Sequence, residues 1–369
     1  MSRARTFADL ATASEAGNLG QSNIIINGDM SVAQRATSST SSGIYSVDRY
    51  NNQWGQISAT QTQESLTSGS PYEAGFNNFL RLTNTSTSSN AASYQQLTQR
   101  IEAQHIANSG WNFKSSSSFM TLSFWARSSL AGTYYARVNT ADGTVYYRIK
   151  AFTLSADTWT KVTFTFEGNS NLTINDDNGV GFDVMVIPHY GTTYTGSNAS
   201  TTTWYALSGQ DYLPDFAQDW GNTSSATFDV TGFQLELGEV ATPFKHESFG
   251  DNLQRCQRYY YKFLSTNIYG PLGATGMQIN TNSTSGTMYQ GMHPVMMRSE
   301  PTMAYGGTWT AEVATGGAAF ALTGSVRTST LFWQSQEPIP SSGANDGYAA
   351  MVYSNNDNDA FLQGDAEFG

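Results

Sequence analysis

The sequence predicts an all-β protein: a jelly-roll β-sandwich, then a short helix and a second, smaller β domain. Three observations carry this. Short runs of alternating apolar and polar residues recur along the chain, separated by Gly, Ser and Asn turns. Ser, Thr, Gly and Asn make up 146 of the 369 residues, and charged residues only 13%, about half the ~25% of an ordinary globular protein. Yet 20 Tyr, 20 Phe and 8 Trp supply material for a core, which a disordered chain of this polarity lacks.

Residues 1–22 stand apart. Phe7 and Leu10 are the large apolar side chains between Arg5 and Gly17, with Ala at 4, 8, 11 and 13. Near 3–13 the pattern allows a short amphipathic helix, too short to hold alone in water without a partner surface, or equally a frayed terminus. From Asn23 the period changes. Asn23–Asn27 reads as a buried strand followed by a Gly28-Asp29 turn. Strands follow at Phe119–Trp125, Trp159–Phe166, Phe182–Ile187 and Thr227–Leu237. Tyr134–Val138 and Val145–Phe152 form a hairpin whose Asp142-Gly143 suits a tight primed turn. Many short strands of this kind imply a sandwich or jelly roll over 23–247. Ser248 to Asp251 resembles a capping box, so a helix is expected over 252–260, although Tyr259–Tyr261 suits the start of a strand equally. Strands are then expected at 277–280, 287–292, 301–305, 318–323, 326–333, 347–353 and 360–368, enough for a smaller β domain over 248–369.

The composition excludes several functions. A formal net charge of −11 argues against a protein that neutralises nucleic-acid phosphates. No apolar run reaches the ~18 residues of a membrane helix, and no apolar stretch follows the basic start to make a secretory signal. Cys256 stands alone, so no intrachain disulfide framework is expected. The four histidines, His105, His189, His246 and His293, show no zinc-ligand spacing. There is no phosphate-binding glycine loop and no nucleophile elbow. No catalytic residue is assigned, and no organic cofactor.

Two constellations remain. The segment between Ile187 and Thr227 is polar, long and rich in rings: Tyr190, Tyr194, Trp204, Tyr205, Tyr212, Phe216 and Trp220. Loops beyond ~12–15 residues tend to be functional or disordered, and the aromatics argue against disorder. Tyr and Trp present flat apolar faces with polar tips, suited to stacking on a sugar whose hydroxyls bond to neighbours such as Asp211. Candidate glycan-binding residues are therefore Tyr190, Tyr194, Trp204, Tyr205, Asp211, Tyr212 and Trp220. The competing reading is that these rings form a small core or fill a subunit interface. Asp211, Asp215 and Asp219 would share one face if helical, most simply a solvated one. A structural calcium ion needs carboxylates and carbonyls together. Asp29, Asp229 and Glu236 are candidates, because first and last strands of sandwiches often pair.

The run from Asn23 to Arg35, NIIINGDMSVAQR, and Tyr45–Tyr50, YSVDRY, resemble the start of a family of bacteriophage virion proteins. Val230–Gly238, VTGFQLELG, is similar to that family's last sandwich strand, and Val240–Phe244, Phe249–Asp251 and Arg255–Tyr260 follow it in family order. The resemblance spans 23–260. It implies a jelly roll similar to carbohydrate-binding modules on a tail fibre or capsid appendage, followed by a C-terminal β domain often found in trimers. Residues 1–22 resemble the N-terminal segment of marine-phage structural proteins, with Arg3, Arg5, Phe7 and Leu10 as virion-anchor candidates. No catalytic residues carry over. Asp48 and Arg49 read as a buried pair orienting an early strand, and Arg255 and Arg258 as cations near a helix C-terminus.

The expectation is a structural protein on the virion surface, made in the host cytoplasm and attached through its N-terminus to other virion proteins. It would be homotrimeric and bind host-surface glycans, without nucleic-acid or membrane partners. One rival is a capsid decoration protein with no receptor role. The other is a glycan depolymerase, which needs two carboxyl groups ~5–9.5 Å apart across a sugar bond.

Overall fold

The computed structural model describes residues 23–207, 209–264, 277, 278, 287–313, 316–321, 325–337, 351–354, 357 and 359–368. Arg3, Arg5, Phe7 and Leu10 lie outside them. The chain divides into two units, Met1–Asn252 and Leu253–Gly369. The division falls beyond the expected 247/248 because Asn252 belongs to the first unit. Its side-chain amide donates to Asp29 Oδ1 (3.0 Å) and Ser31 Oγ (2.9 Å), and its Oδ1 accepts from the Asn27 backbone (3.0 Å).

The first unit is a β-sandwich of two six-stranded antiparallel sheets. Sheet I runs β1 (Ser38–Ser39), β3 (Ala59–Ser65), β4 (Asn78–Asn84), β12 (Thr227–Leu237), β6 (Phe119–Ser128), β9 (Thr160–Glu167). Sheet II runs β11 (Tyr205–Ala206), β8 (Tyr146–Leu154), β7 (Gly132–Thr140), β10 (Val180–Tyr190), β5 (Tyr94–Glu102), β2 (Asn51–Gly55). Neighbours such as β12 and β4 are far apart in sequence, the crossover wiring of a jelly roll. Period-two alternation sends Leu122, Phe124, Phe228, Val230 and Leu235 of sheet I, and Tyr134, Ala136, Val138, Phe182, Val184 and Val186 of sheet II, into one shared core. Phe124 and Phe233 stack at 4.8 Å within it.

The strands expected at Phe119–Trp125, Trp159–Phe166, Phe182–Ile187 and Thr227–Leu237 are present. Strands β2 to β5 were not expected. Their buried positions include Asn52, Gln61, Gln95 and Gln99, so the apolar alternation is broken. Buried amides find other partners instead: Asn52 Nδ2 donates to Gln61 Oε1 at 2.8 Å, and Gln99 bonds the Ile26 backbone. The Asp142-Gly143 hairpin is present, but residues 141–145 connect β7 to β8, longer than a two-residue primed turn.

Asn23–Asn27 is buried but is not a strand. Ile26 donates to and accepts from the Gln99 side-chain amide (2.8 and 2.9 Å), which replaces a ladder partner. Asn27 holds a left-handed φ of 59° and ties the Val32 backbone through both side-chain atoms. Gly28 lies against β12, where a Cβ would sit 2.1 Å from the Phe233 carbonyl oxygen. Gly232 has φ +68° at a bulge in β12, and a Cβ there would meet the Phe76 ring at 2.7 Å. Asp48 and Arg49 are both buried. Asp48 Oδ1 accepts from the Gln34 backbone (2.9 Å), and Arg49 donates to the Arg100 carbonyl (2.6 Å).

Ser248 caps the helix Phe249–Gln257: its Oγ accepts from Asp251 N (3.1 Å) and donates to Asp251 Oδ2 (2.7 Å). A strand begins at Tyr260, so the helix ends three residues before the expected 260. Among its described residues the second unit holds three small antiparallel sheets: β13 (Tyr260–Leu264), β22 (Phe361–Asp365), β16 (Thr302–Gly306); β14 (Met277–Gln278), β15 (Thr287–Met292), β20 (Phe332–Glu337), β19 (Ser325–Thr328); and β18 (Gly316–Ala321), β17 (Thr308–Val313), β21 (Met351–Ser354). The run expected as one strand over 326–333 is two, turned by Ser329, whose Oγ accepts from Leu331 N and Phe332 N. β17 was not expected.

Candidate functional site

The site stands on the outer face of sheet II. Alternation places Tyr135, Arg137 and Asn139 of β7 outward, because Tyr134, Ala136 and Val138 face the core. The register Arg137↔Met185 and Tyr135↔Ile187 continues this row onto β10, and Tyr190↔Tyr94 and Met185↔Thr98 onto β5. A bulge between Val186 and His189 turns Tyr190 out beside Tyr94.

The long segment after β10 folds back over this row. Leu213 is fully buried there beside Ile149, Met185, Ile187 and Tyr190, with Tyr94, Tyr194, Tyr205, Tyr212 and Phe216 packed around them. The rings meet edge to face: Tyr94–Tyr194 at 5.8 Å, Tyr190–Tyr194 at 5.7 Å, Tyr190–Tyr212 at 6.4 Å. Such contacts add about 0.5–1.5 kcal/mol each beyond area burial. Side chains pin the loop. Asp211 accepts from Asn198 Nδ2 (2.7 Å), Asp215 from the Thr195 hydroxyl, and Tyr205 donates to the Tyr212 carbonyl (3.0 Å). Asp219 accepts from Asn222 (3.2 Å). Asp211, Asp215 and Asp219 therefore hold turns rather than one helical face.

Between loop and sheet lies a pocket of about 310 Å³ lined by Tyr94, Gln96, Arg137, Tyr190, Tyr194 and Tyr212. That is at the small end of the ~300–1,000 Å³ of ligand sites. The Tyr190 hydroxyl donates to Gln96 Oε1, and Gln96 Nε2 donates to Gln53 (2.7 Å). Burial pushes the Tyr190 phenol above its ordinary value, so it is a neutral donor. Tyr147 and Tyr205 are raised by burial too, with Arg137 opposing. The Arg137 guanidinium lies 4.7 Å from the Tyr147 ring and 5.6 Å from the Tyr212 ring. One outward step along β10, Asp183 is raised by burial, while Asn139 (3.0 Å), Arg100 (4.0 Å) and Arg137 itself favour its charged form.

Three of the seven glycan candidates, Tyr190, Tyr194 and Tyr212, line this pocket. Tyr205 and Asp211 brace its loop. Trp204 and Trp220 do not face it. Trp204 is 7% exposed, donates to the Glu167 carbonyl (2.7 Å) and packs on Phe166 in the main core. Trp220 is 0% exposed in the same core. Both are anchors, because each loop end must bury something to stay on the sandwich. Tyr94, Gln96 and Arg137 were missed. Arg137 lies in an expected strand, but alternation alone gives a solvent-facing arginine, and nothing nearby in sequence marks it as covered.

The expected calcium set is not assembled. Asp229 on β12 pairs in register with Arg81 on β4 and Arg127 on β6, at 2.8 and 2.7 Å. Glu236 accepts from the Thr242 hydroxyl (2.6 Å) and backbone (2.9 Å). Asp29 accepts from Ser31 and Asn252. Each carboxylate is already held by donors that a cation would have to displace. No group of three or more His, Cys, Asp or Glu among the described residues could hold a metal ion.

No family model matches the sequence, and no curated protein matches it. Similar solved structures include the N-terminal cellulose-binding domain of β-1,4-glucanase C from Cellulomonas fimi, at 10% identity, covering 57% of this chain and 99% of that one, with TM-score 0.29. The family 11 carbohydrate-binding module of a Clostridium thermocellum cellulosomal cellulase matches at 13% identity, covering 57% and 98%, with TM-score 0.27. A cyclase from Fischerella sp. TAU matches at 9% identity, covering 60% and 100%, with TM-score 0.34. The functional reading below rests on the pocket's own geometry.

Proposed function

We propose that the first unit is a non-catalytic glycan-binding sandwich, displayed on a phage virion to hold host-surface saccharides. The observation that carries this is the pocket: four tyrosines, a glutamine and an arginine converge from three strands and one loop on a single concavity. Ring faces suit the apolar faces of a sugar, and the amide, phenols and guanidinium suit its hydroxyls. None of the six lining residues is a carboxylate, which favours binding over hydrolysis. The virion setting rests on the motifs at 23–35, 45–50 and 230–260. Trimeric copies would multiply a weak single-site affinity.

Titration calorimetry of the full chain against host-surface polysaccharide tests this. Tyr212→Ala and Tyr194→Ala are expected to weaken binding on the order of tenfold or more; each also gives up ring contacts worth about 0.5–1.5 kcal/mol apiece, so binding is compared at a temperature where both variants remain folded. Equal binding by both variants and the parent would remove the pocket from the account. Attachment to expanded heads but not to cells would favour the decoration reading. New reducing ends released from the polysaccharide would favour the depolymerase.

A further inference from the structure

We propose that this pocket is built for an acidic sugar, whose carboxylate is held by Arg137. The proposal rests on the glycan-binding reading and names the ligand class. Arg137 is 5% exposed, yet its guanidinium is almost unused. Nη2 donates to Met185 Sδ at 2.7 Å, and a thioether is a weak acceptor. Nε and Nη1 have no hydrogen-bond partner. Whichever proton Nη2 gives to sulfur, one two-pronged edge of the guanidinium stays unbonded, although Nε and Nη1 are covered by the surrounding rings and strands.

No nearby acid among the described residues pairs with it directly: Arg137 is among the charges that favour the ionised form of Asp183, but the two form no ion pair. Asp183 sits one register step away and accepts from Asn139, with Arg100 at 4.0 Å. Asp211 and Asp215 are held within the loop. Among the described residues Arg137 forms no ion pair. A buried cation without a hydrogen-bonded counter-ion is unfavourable, and the field of Asp183 and the ring faces of Tyr147 and Tyr212 offset only part of that. The fold nevertheless sets this cation in the wall of a pocket otherwise lined by tyrosines and an amide. A planar carboxylate matches the unbonded edge bidentately, once the half-buried Tyr194 and Tyr212 rings give way to admit it, and supplies a negative charge. The tyrosines would then take the rest of the ring.

The test is calorimetry on the full chain with uronic and sialic acid oligosaccharides, their carboxyl-reduced counterparts, and sulfated oligosaccharides of the same sugars. At least one acid is expected to bind on the order of tenfold more tightly than its reduced form. Arg137→Met is expected to bring that acid down to the level of the reduced form. Arg137→Lys, which keeps the charge without the fork, should lose most of the preference. The parent-protein comparison holds even if a variant fails to fold. Equal binding of acids and reduced forms would overturn the carboxylate assignment while leaving glycan binding intact. So would tighter binding of the sulfated forms. If nothing in the panel binds, the glycan reading falls and this inference with it.

Discussion

On the outer face of sheet I, Asp229 stands between Arg81 and Arg127 across three strands. On the outer face of sheet II, Arg137 stands among tyrosines and, among the described residues, forms no ion pair, with Asp183 acting on it only at longer range. Both faces combine arginine with rings: Arg127 lies 4.7 Å from the Trp159 ring, as Arg137 does from Tyr147. The difference is one acid in register. With it, the guanidiniums become a cross-strand staple. Without it, buried donors remain available at a pocket. Stability given up at one place in exchange for recognition is a common pattern in proteins.

The largest expected effect comes from unhooking the cover of sheet II. Trp220→Ala should lower stability by about 3–5 kcal/mol, read as a shift in urea midpoint, since the ring lies wholly within the core. A loss no greater than that of an ordinary surface substitution would mean the loop is not anchored there. Asp229→Ala comes next. It leaves two cations without their acid, and about 2–3 kcal/mol is expected. That is less than the ~3–5 of a fully buried pair because both guanidiniums are partly exposed.

A smaller effect is pH-dependent. His189 is buried, with Nε2 2.8 Å from the Ser93 hydroxyl. Burial holds its pKa below the ordinary 6.5, with Asp219 opposing. The unfolded chain therefore takes up the proton first. The residue's contribution is intact above about 6.5 and is lost as pH falls below it. Urea midpoints at about pH 7.5 and about pH 5 should differ less in His189→Gln than in the parent. An unchanged difference would place the acid sensitivity elsewhere.

Much of the fold is legible in the sequence where apolar alternation is clean. Thr227–Leu237 and Thr287–Met292 coincide with their strands. The alternation fails in β2 to β5, where inward-facing Gln61, Gln95 and Gln99 look like surface residues until their partners are known. Asn23–Asn27 misleads in the opposite sense: three consecutive isoleucines are buried without a ladder, because beyond the Ile24 bond to the Leu235 carbonyl the side chains of Asn23 and Gln99 supply the partners. The site is legible by half. Crowded rings mark Tyr190, Tyr194 and Tyr212, but equally Trp204 and Trp220, since a ring that binds and a ring that anchors have the same local signature. Tyr94, Gln96 and Arg137 join only through the sheet II register, a long-range fact that no local window contains.

The smallest expected change in stability tests the contrast between the faces most directly. Urea unfolding of Arg137→Met, beside Asp229→Ala and the parent, measures whether Arg137 is structural or held in reserve. Removing a buried cation that forms no ion pair should leave the midpoint within about 1 kcal/mol of the parent, or raise it. A loss as large as that of Asp229→Ala would show that Arg137 is part of the structural framework. It would contradict the account of sheet II as a binding face.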